Sequence, residues 1–159
     1  MEKSKPGAAR PAQLTKVIQF FGGSKALDFK PAGPFETHEL LLRGIPKKAM
    51  LHLMGTSPTM KPSASLNRAF GVSTRTMQRI KAKPEKSRLS YEQSSRVWKF
   101  AEILAQATEV FGSRSEAEKW LEQPAMALEG RKPIDLLATS VGVELVEHHL
   151  TRLEYGVYT

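Results

Sequence analysis

Apolar residues recur at intervals of three and four along most of this chain, the spacing that lines one face of an α-helix. Val97, Phe100, Ala101, Leu104, Ala107 and Val110–Phe111 form the longest such stripe. Ser90 followed by Gln93 is a capping-box pattern ahead of it, and Gly112 stops it, so a helix is predicted from about Ser90 to Phe111. Ser113 with Glu116, or Ser115 with Glu118, opens a second helix through Trp120-Leu121 that Pro124 ends. Pro133 starts a short helix carrying Ile134, Leu136 and Leu137. Thr139 or Ser140 opens the last one, with Val143, Val146, Leu150 and Leu153 inward and Gly156 as terminator.

The first half shows the same period in shorter pieces. Leu14, Val17, Ile18 and Phe21 fall at helical spacing before Gly22-Gly23. A helix that short must pack on the body or on a second subunit. Lys30–Pro34 reads as a linker, and a helical pattern follows over Glu36–Arg43. Gly44-Ile45-Pro46 interrupts it, Lys47–Met54 resumes it, and Gly55–Pro58 and Lys61-Pro62 are loop signals. No convincing strand and no internal repeat is found, so the expected fold is all-α. Three regions are predicted: a basic N-terminal arm with a short helix (1–35), a central region (36–88) and a helical C-terminal region (89–159).

Within the central region, Leu66 to Ile80 follows the grammar of a helix-turn-helix. Leu66, Ala69 and Phe70 form the inward face of the first helix, which the Pro- and Ser-rich stretch before it leaves short. Gly71 takes a turn that a side chain would oppose, Val72 fills the angle between the helices, and Ser73 caps the second. Met77 and Ile80 face the core, which leaves a basic outer surface closed by Pro84. Charge agrees: Arg43 to Arg88 holds eleven basic residues and one acidic, a net +10, whereas Leu89 onward holds seven basic and eleven acidic, a net −4. The whole chain is +8. A cationic middle beside an anionic tail points to two different partners, the first a polyanion.

In a major-groove reading, Arg75 and Gln78 contact base edges, because guanidinium matches guanine and carboxamide matches adenine bidentately. Thr74, Thr76, Arg79 and Lys81 hold phosphates, and Ser73 caps the helix. Helices of this kind usually act as two-fold dimers on paired half-sites. A solvated helical hairpin with a merely soluble basic face is the alternative.

The C-terminal end places Leu153, Tyr155, Val157 and Tyr158 where little chain remains to bury them. Such residues mark a protein partner, or a terminal helix docked on its own domain. The strings Ala117-Glu-Lys-Trp-Leu121, Ala127-Leu-Glu-Gly-Arg-Lys-Pro-Ile-Asp-Leu-Leu137 and Arg152-Leu-Glu-Tyr-Gly-Val-Tyr158 closely resemble the Xre/MbcA/ParS-type antitoxins. The resemblance runs from about Ile45 to Tyr158. It implies a toxin partner with a RES domain, similar to ADP-ribosyltransferases and depleting NAD. It also implies that the antitoxin's C-terminal region covers the toxin's active-site cleft, while the helix-turn-helix represses the shared operon. Carried onto this chain, the recognition-helix role falls on Ser73 to Arg79. Toxin binding falls on Leu150, Arg152, Leu153, Glu154, Tyr155, Gly156, Val157 and Tyr158. A homodimer and a larger hetero-oligomer with the toxin are expected. A stand-alone dimeric repressor and an adaptor or polar-localisation factor are the rival readings.

Enzyme chemistry is not expected. The chain lacks cysteine, which excludes disulfides, thiolate metal sites and cysteine nucleophiles and suits the cytoplasm. His38, His52, His148 and His149 have no metal-ligand spacing; the adjacent pair points about 100° apart on a helix. Glu144 and Glu147 share a helix face and read as solvated charges. No phosphate-binding loop, membrane span or signal peptide is visible, and no cofactor is implied.

Overall fold

The computed structural model describes residues 11–83 and 87–156. The expectations for the arm before residue 11, for Pro84 and for Val157 and Tyr158 lie outside that range. The described residues form ten α-helices and one 3-10 turn, with two isolated bridges and no strand, an all-α fold. In order these are α1 (Pro11–Phe20), α2 (Ser24–Leu27), α3 (Pro34–Arg43), α4 (Lys47–Gly55), α5 (Ala64–Phe70) and α6 (Thr74–Ala82). Next come α7 (Tyr91–Phe111), α8 (Arg114–Leu121), the 3-10 turn Met126–Leu128, α9 (Pro133–Leu136) and α10 (Ser140–Glu154).

The chain is organised around α7. Its capping box forms: Gln93 N donates to Ser90 Oγ at 3.1 Å and Ser90 N to Gln93 Oε1 at 3.1 Å. Trp98, Ile103 and Ala105 are buried as well as the predicted stripe residues Val97, Phe100, Ala101, Leu104 and Ala107, so α7 is apolar on most of its circumference. A helix of that kind belongs at the centre of a core. α7 packs against α1, α3, α5, α8 and α10.

Residues 11–35 are part of this body. Val17, Phe21 and Leu27 are fully buried in the same core as Phe70 and Leu150, and Phe21 stacks on Trp98 at 5.6 Å. Gln13 on α1 also donates to Glu109 on α7 at 3.1 Å. Two small elements carried no sequence signal. α2 and the 3-10 turn each bury a single leucine, Leu27 and Leu128, and one residue has no period to detect. The expected linker ends earlier than predicted, because Pro34 sits in the first turn of α3, where its missing N–H costs nothing. Ser113 caps α8, accepting from Glu116 N at 3.1 Å, and Thr139 caps α10, accepting from Gly142 N at 3.0 Å.

Candidate nucleic-acid and protein-binding surfaces

The basic helix is positioned through α5, on which it packs. Ser63 Oγ accepts from Leu66 N at 3.1 Å and starts α5, and Leu66, Ala69 and Phe70 are buried. Phe70 meets Phe100 of α7 edge-on at 5.1 Å. Gly71 then adopts φ +69, the left-handed region that glycine tolerates best. Val72 is buried between the helices. Ser73 Oγ accepts from Thr76 N at 3.0 Å and donates to Thr76 Oγ1 at 2.9 Å. These two side chains are therefore engaged in starting α6. With Met77 and Ile80 buried, Thr74, Arg75, Gln78, Arg79 and Lys81 stand exposed and Thr76 is half-buried. Among the described residues, Arg75, Arg79 and Lys81 meet no carboxylate. The outer face of α6 is thus an uncompensated row of cations, suited to phosphate.

Three residues that the sequence reading did not single out as anchors hold this unit. Arg96 of α7 donates through Nη1 to the Arg68 carbonyl at 3.2 Å, capping the C-terminal end of α5. Its Cδ lies 2.7 Å from where a Cβ on Gly71 would stand, so a side chain there would push the Arg96 side chain aside. Asp135 of α9 accepts from Ser65 Oγ at 2.7 Å and lies 3.6 Å from Arg68 Nη2. Glu118 of α8 is fully buried and clasps the loop ahead of α5. Its Oε1 accepts from Ser57 Oγ (2.6 Å), Thr59 N (3.0 Å), Thr59 Oγ1 (3.0 Å) and Met60 N (3.1 Å), while Oε2 accepts from Arg114 Nε at 2.9 Å. Burial pushes this carboxyl up, but the hydrogen bonds from Ser57, Arg114 and Thr59 outweigh it and hold the group below its ordinary range. No period or motif announces such pairings, which join residues about 60 positions apart.

In the C-terminal region, α10 turns Gly142, Val146 and Leu150 into the core, with Val143 and Leu153 half-buried. Its opposite side carries Val141 (67% exposed), Leu145 (50%) and Tyr155 (65%), with exposed His148 and Arg152 between them. Their spacing of four, three, four and three places them on one stripe. Of the residues assigned to toxin binding, Leu150 is fully buried and serves as an anchor, Leu153 and Glu154 are half-buried, and Arg152, Tyr155 and Gly156 are exposed. Val141 and Leu145 were not expected on this exposed side; the signal available was an apolar repeat out of phase with Val143, Val146 and Leu150. Trp120 is half-buried between Phe111 and His149, at ring distances of 5.2 and 5.9 Å. Burial, then Arg152, holds the His149 imidazole below its ordinary value.

Glu144 and Glu147 do not behave alike. Glu144 is exposed, but Glu147 lies 3.5 Å from Lys99 of α7, which also meets Glu102 at 3.4 Å. The expectation of two solvated charges is therefore corrected for Glu147, because α10 docks that side on α7. Among the described residues no His, Asp and Glu cluster could hold a metal, and no helix is long and apolar enough to cross a membrane.

Residues 106–156, which contain α8, α9 and α10, match the antitoxin Xre/MbcA/ParS C-terminal toxin-binding domain. The chain is 31% identical over 99 residues to antitoxin Xre of Yersinia enterocolitica, covering 62% of this chain and 66% of that protein. It is also 31% identical over 81 residues to antitoxin Xre of Pseudomonas putida, covering 50% of this chain and 51% of that protein. The chain thus spans less than two thirds of either antitoxin. A stretch of 49 residues is 45% identical to part of a Pseudomonas putida 6-hydroxy-3-succinoylpyridine 3-monooxygenase, 16% of that protein's length. Over residues 106–156 the chain thus matches the Xre/MbcA/ParS toxin-binding domain, and it is similar to two antitoxins named Xre.

Proposed function

We propose that the chain is an antitoxin with two separate surfaces, one for a toxin and one for operator DNA. The observation that carries the first is the outward stripe of α10 inside the matched domain: apolar side chains held by a buried anchor at Leu150 and aimed away from the core. Val141, Leu145 and Tyr155 supply the apolar contact, with Arg152 and Glu154 beside it; Val157 and Tyr158 are assigned to the same contact from the sequence alone. The partner is a RES-type, NAD-depleting toxin whose cleft this end covers. DNA binding rests on the unpaired cations of α6, with Arg75 and Gln78 at base edges and Thr74, Arg79 and Lys81 on phosphates; through it the chain represses its own operon. Ser73 and Thr76 set the start of that helix.

The test is NAD content in cells expressing the neighbouring gene's product. The intact chain is expected to prevent depletion, whereas Leu145→Glu, Tyr155→Ala and a truncation after Leu150 lose protection while still binding DNA. Protection retained by all three variants places toxin binding elsewhere on the molecule. Absence of depletion favours the rival reading, a stand-alone dimeric repressor.

A further inference from the structure

The start of α4 and the segment leading into α7 meet at the C-terminal end of α6. That helix is nine residues long, so its two ends stand about 12 Å apart. Ser87 joins the pieces: its carbonyl accepts from Lys47 N at 3.0 Å, and its Oγ donates to the Lys83 carbonyl at 3.4 Å. Leu89 N donates to the Ile45 carbonyl at 2.8 Å, and Ile45 N donates to the buried Ser94 Oγ of α7 at 2.8 Å. Arg88 Nη1 donates to the Gly44 carbonyl at 2.8 Å. Four cations, Lys47, Lys48, Lys83 and Arg88, are thereby gathered on one hydrogen-bonded corner. Among the described residues a single carboxylate answers them: Asp28, at the end of α2, lies 3.6 Å from Arg88 Nη2 and 3.8 Å from Lys48 Nζ. Lys47 and Lys83 meet none there.

We propose that this corner is a second phosphate contact for duplex DNA, flanking the outer face of α6, and that Asp28 sets its strength. The inference rests on the DNA reading given above. In helix-turn-helix docking the first residues of the recognition helix reach base edges in the major groove. The opposite end of α6 therefore emerges toward the sugar–phosphate wall, where Lys81, Lys83 and Lys47 follow one another. An ammonium is a point charge with no planar edge to match a base, so these contacts add affinity without sequence preference. Asp28 is exposed and its two ion pairs are long, so it tempers its partners' pull on phosphate without cancelling it. The segment ahead of α3 thus takes part in DNA binding through one carboxylate.

Salt titrations of the full chain on two labelled duplexes, one from upstream of its own gene and one of random sequence, test this. Lys47→Ala and Lys83→Ala are each expected to lower the slope of log affinity against log salt by about one unit, equally on both duplexes. Lys119→Ala, which removes an exposed cation paired with Glu116 on α8, leaves the slope at the parent value. Asp28→Asn acts the other way and tightens binding about threefold at low salt. Asparagine tolerates the left-handed backbone of residue 28 (φ +56), and a misfolded variant produces no gain. Parent slopes in both lysine variants, a loss confined to the upstream duplex, or no gain from Asp28→Asn overturns the flanking contact while leaving the recognition helix in place. A chain that binds neither duplex refutes the DNA reading itself, and this contact with it.

Discussion

Removing the Glu118 carboxylate tests how the loop before α5 is held. Glu118→Ala leaves Arg114, whose side chain is 17% exposed, without its carboxylate, and leaves Thr59 N without its acceptor. Met60 N keeps a second partner, Ser57 Oγ at 2.8 Å, and Arg114 keeps the Leu53 carbonyl at 2.6 Å. The loss is thus smaller than the number of broken bonds suggests. Breaking one side of a buried ion pair costs about 3–5 kcal/mol. At about 2–4 °C per kcal/mol for a chain of this size, the melting temperature drops by roughly 10 °C. Glu118→Gln costs less, because its oxygen keeps the bonds made at Oε1, but it loses the charge and its amide sets a donor against Arg114 Nε. Circular dichroism melts and urea titrations of both variants measure this directly. The pH dependence has a definite sign. Glu118 is held below its ordinary range, so its contribution is complete at neutral pH and is lost as pH falls through the folded-state value. The gap between parent and variant is therefore widest near pH 7 and narrows in acid. A Glu118→Ala cost under about 1 kcal/mol, or a gap that widens in acid, refutes the role given to this carboxylate.

Further outcomes follow from named contacts. Gly142→Ala brings a methyl against the Leu136 carbonyl, a clash between two backbones that a rotamer change cannot relieve, and costs about 1–3 kcal/mol in thermal melts despite alanine's better helix propensity. Gly71→Ala costs about 1–2 kcal/mol from the left-handed backbone, and Gly71→Asn less; equal losses would show that crowding by Arg96, not φ, dominates. If α6 enters the major groove, Arg75→Ala relaxes preference at one base by about 1–3 kcal/mol in competition binding. Lys81→Ala instead lowers the salt slope of DNA binding by about one unit on specific and random DNA alike.

Short-range chemistry was legible from the residues. Ser90 with Gln93, Ser73 and Ser113 act within three residues of themselves, so their caps are written in local order. The sharp turn at Gly71 and the inward Met77 and Ile80 were equally local, and they settled which side of α6 carries the cations. The stripe of α7 disclosed a helix, but not that it would be buried nearly all round, because small residues such as Ala105 do not announce a second apolar face.

The sequence by itself determined the longer helices, several of their caps, the separation of charge along the chain and the C-terminal motifs that resemble the family. Only the tertiary structure decided that α1 docks on α7, that Glu118 and Asp135 tie the C-terminal region to the unit carrying α6, and that Glu147 pairs with Lys99. It also decided that Leu150 is an anchor while Val141 and Leu145 face out. The physical reason is range. Caps and periodicity arise between neighbours three or four positions apart, whereas a buried carboxylate or an exposed stripe depends on which distant helix arrives to cover it.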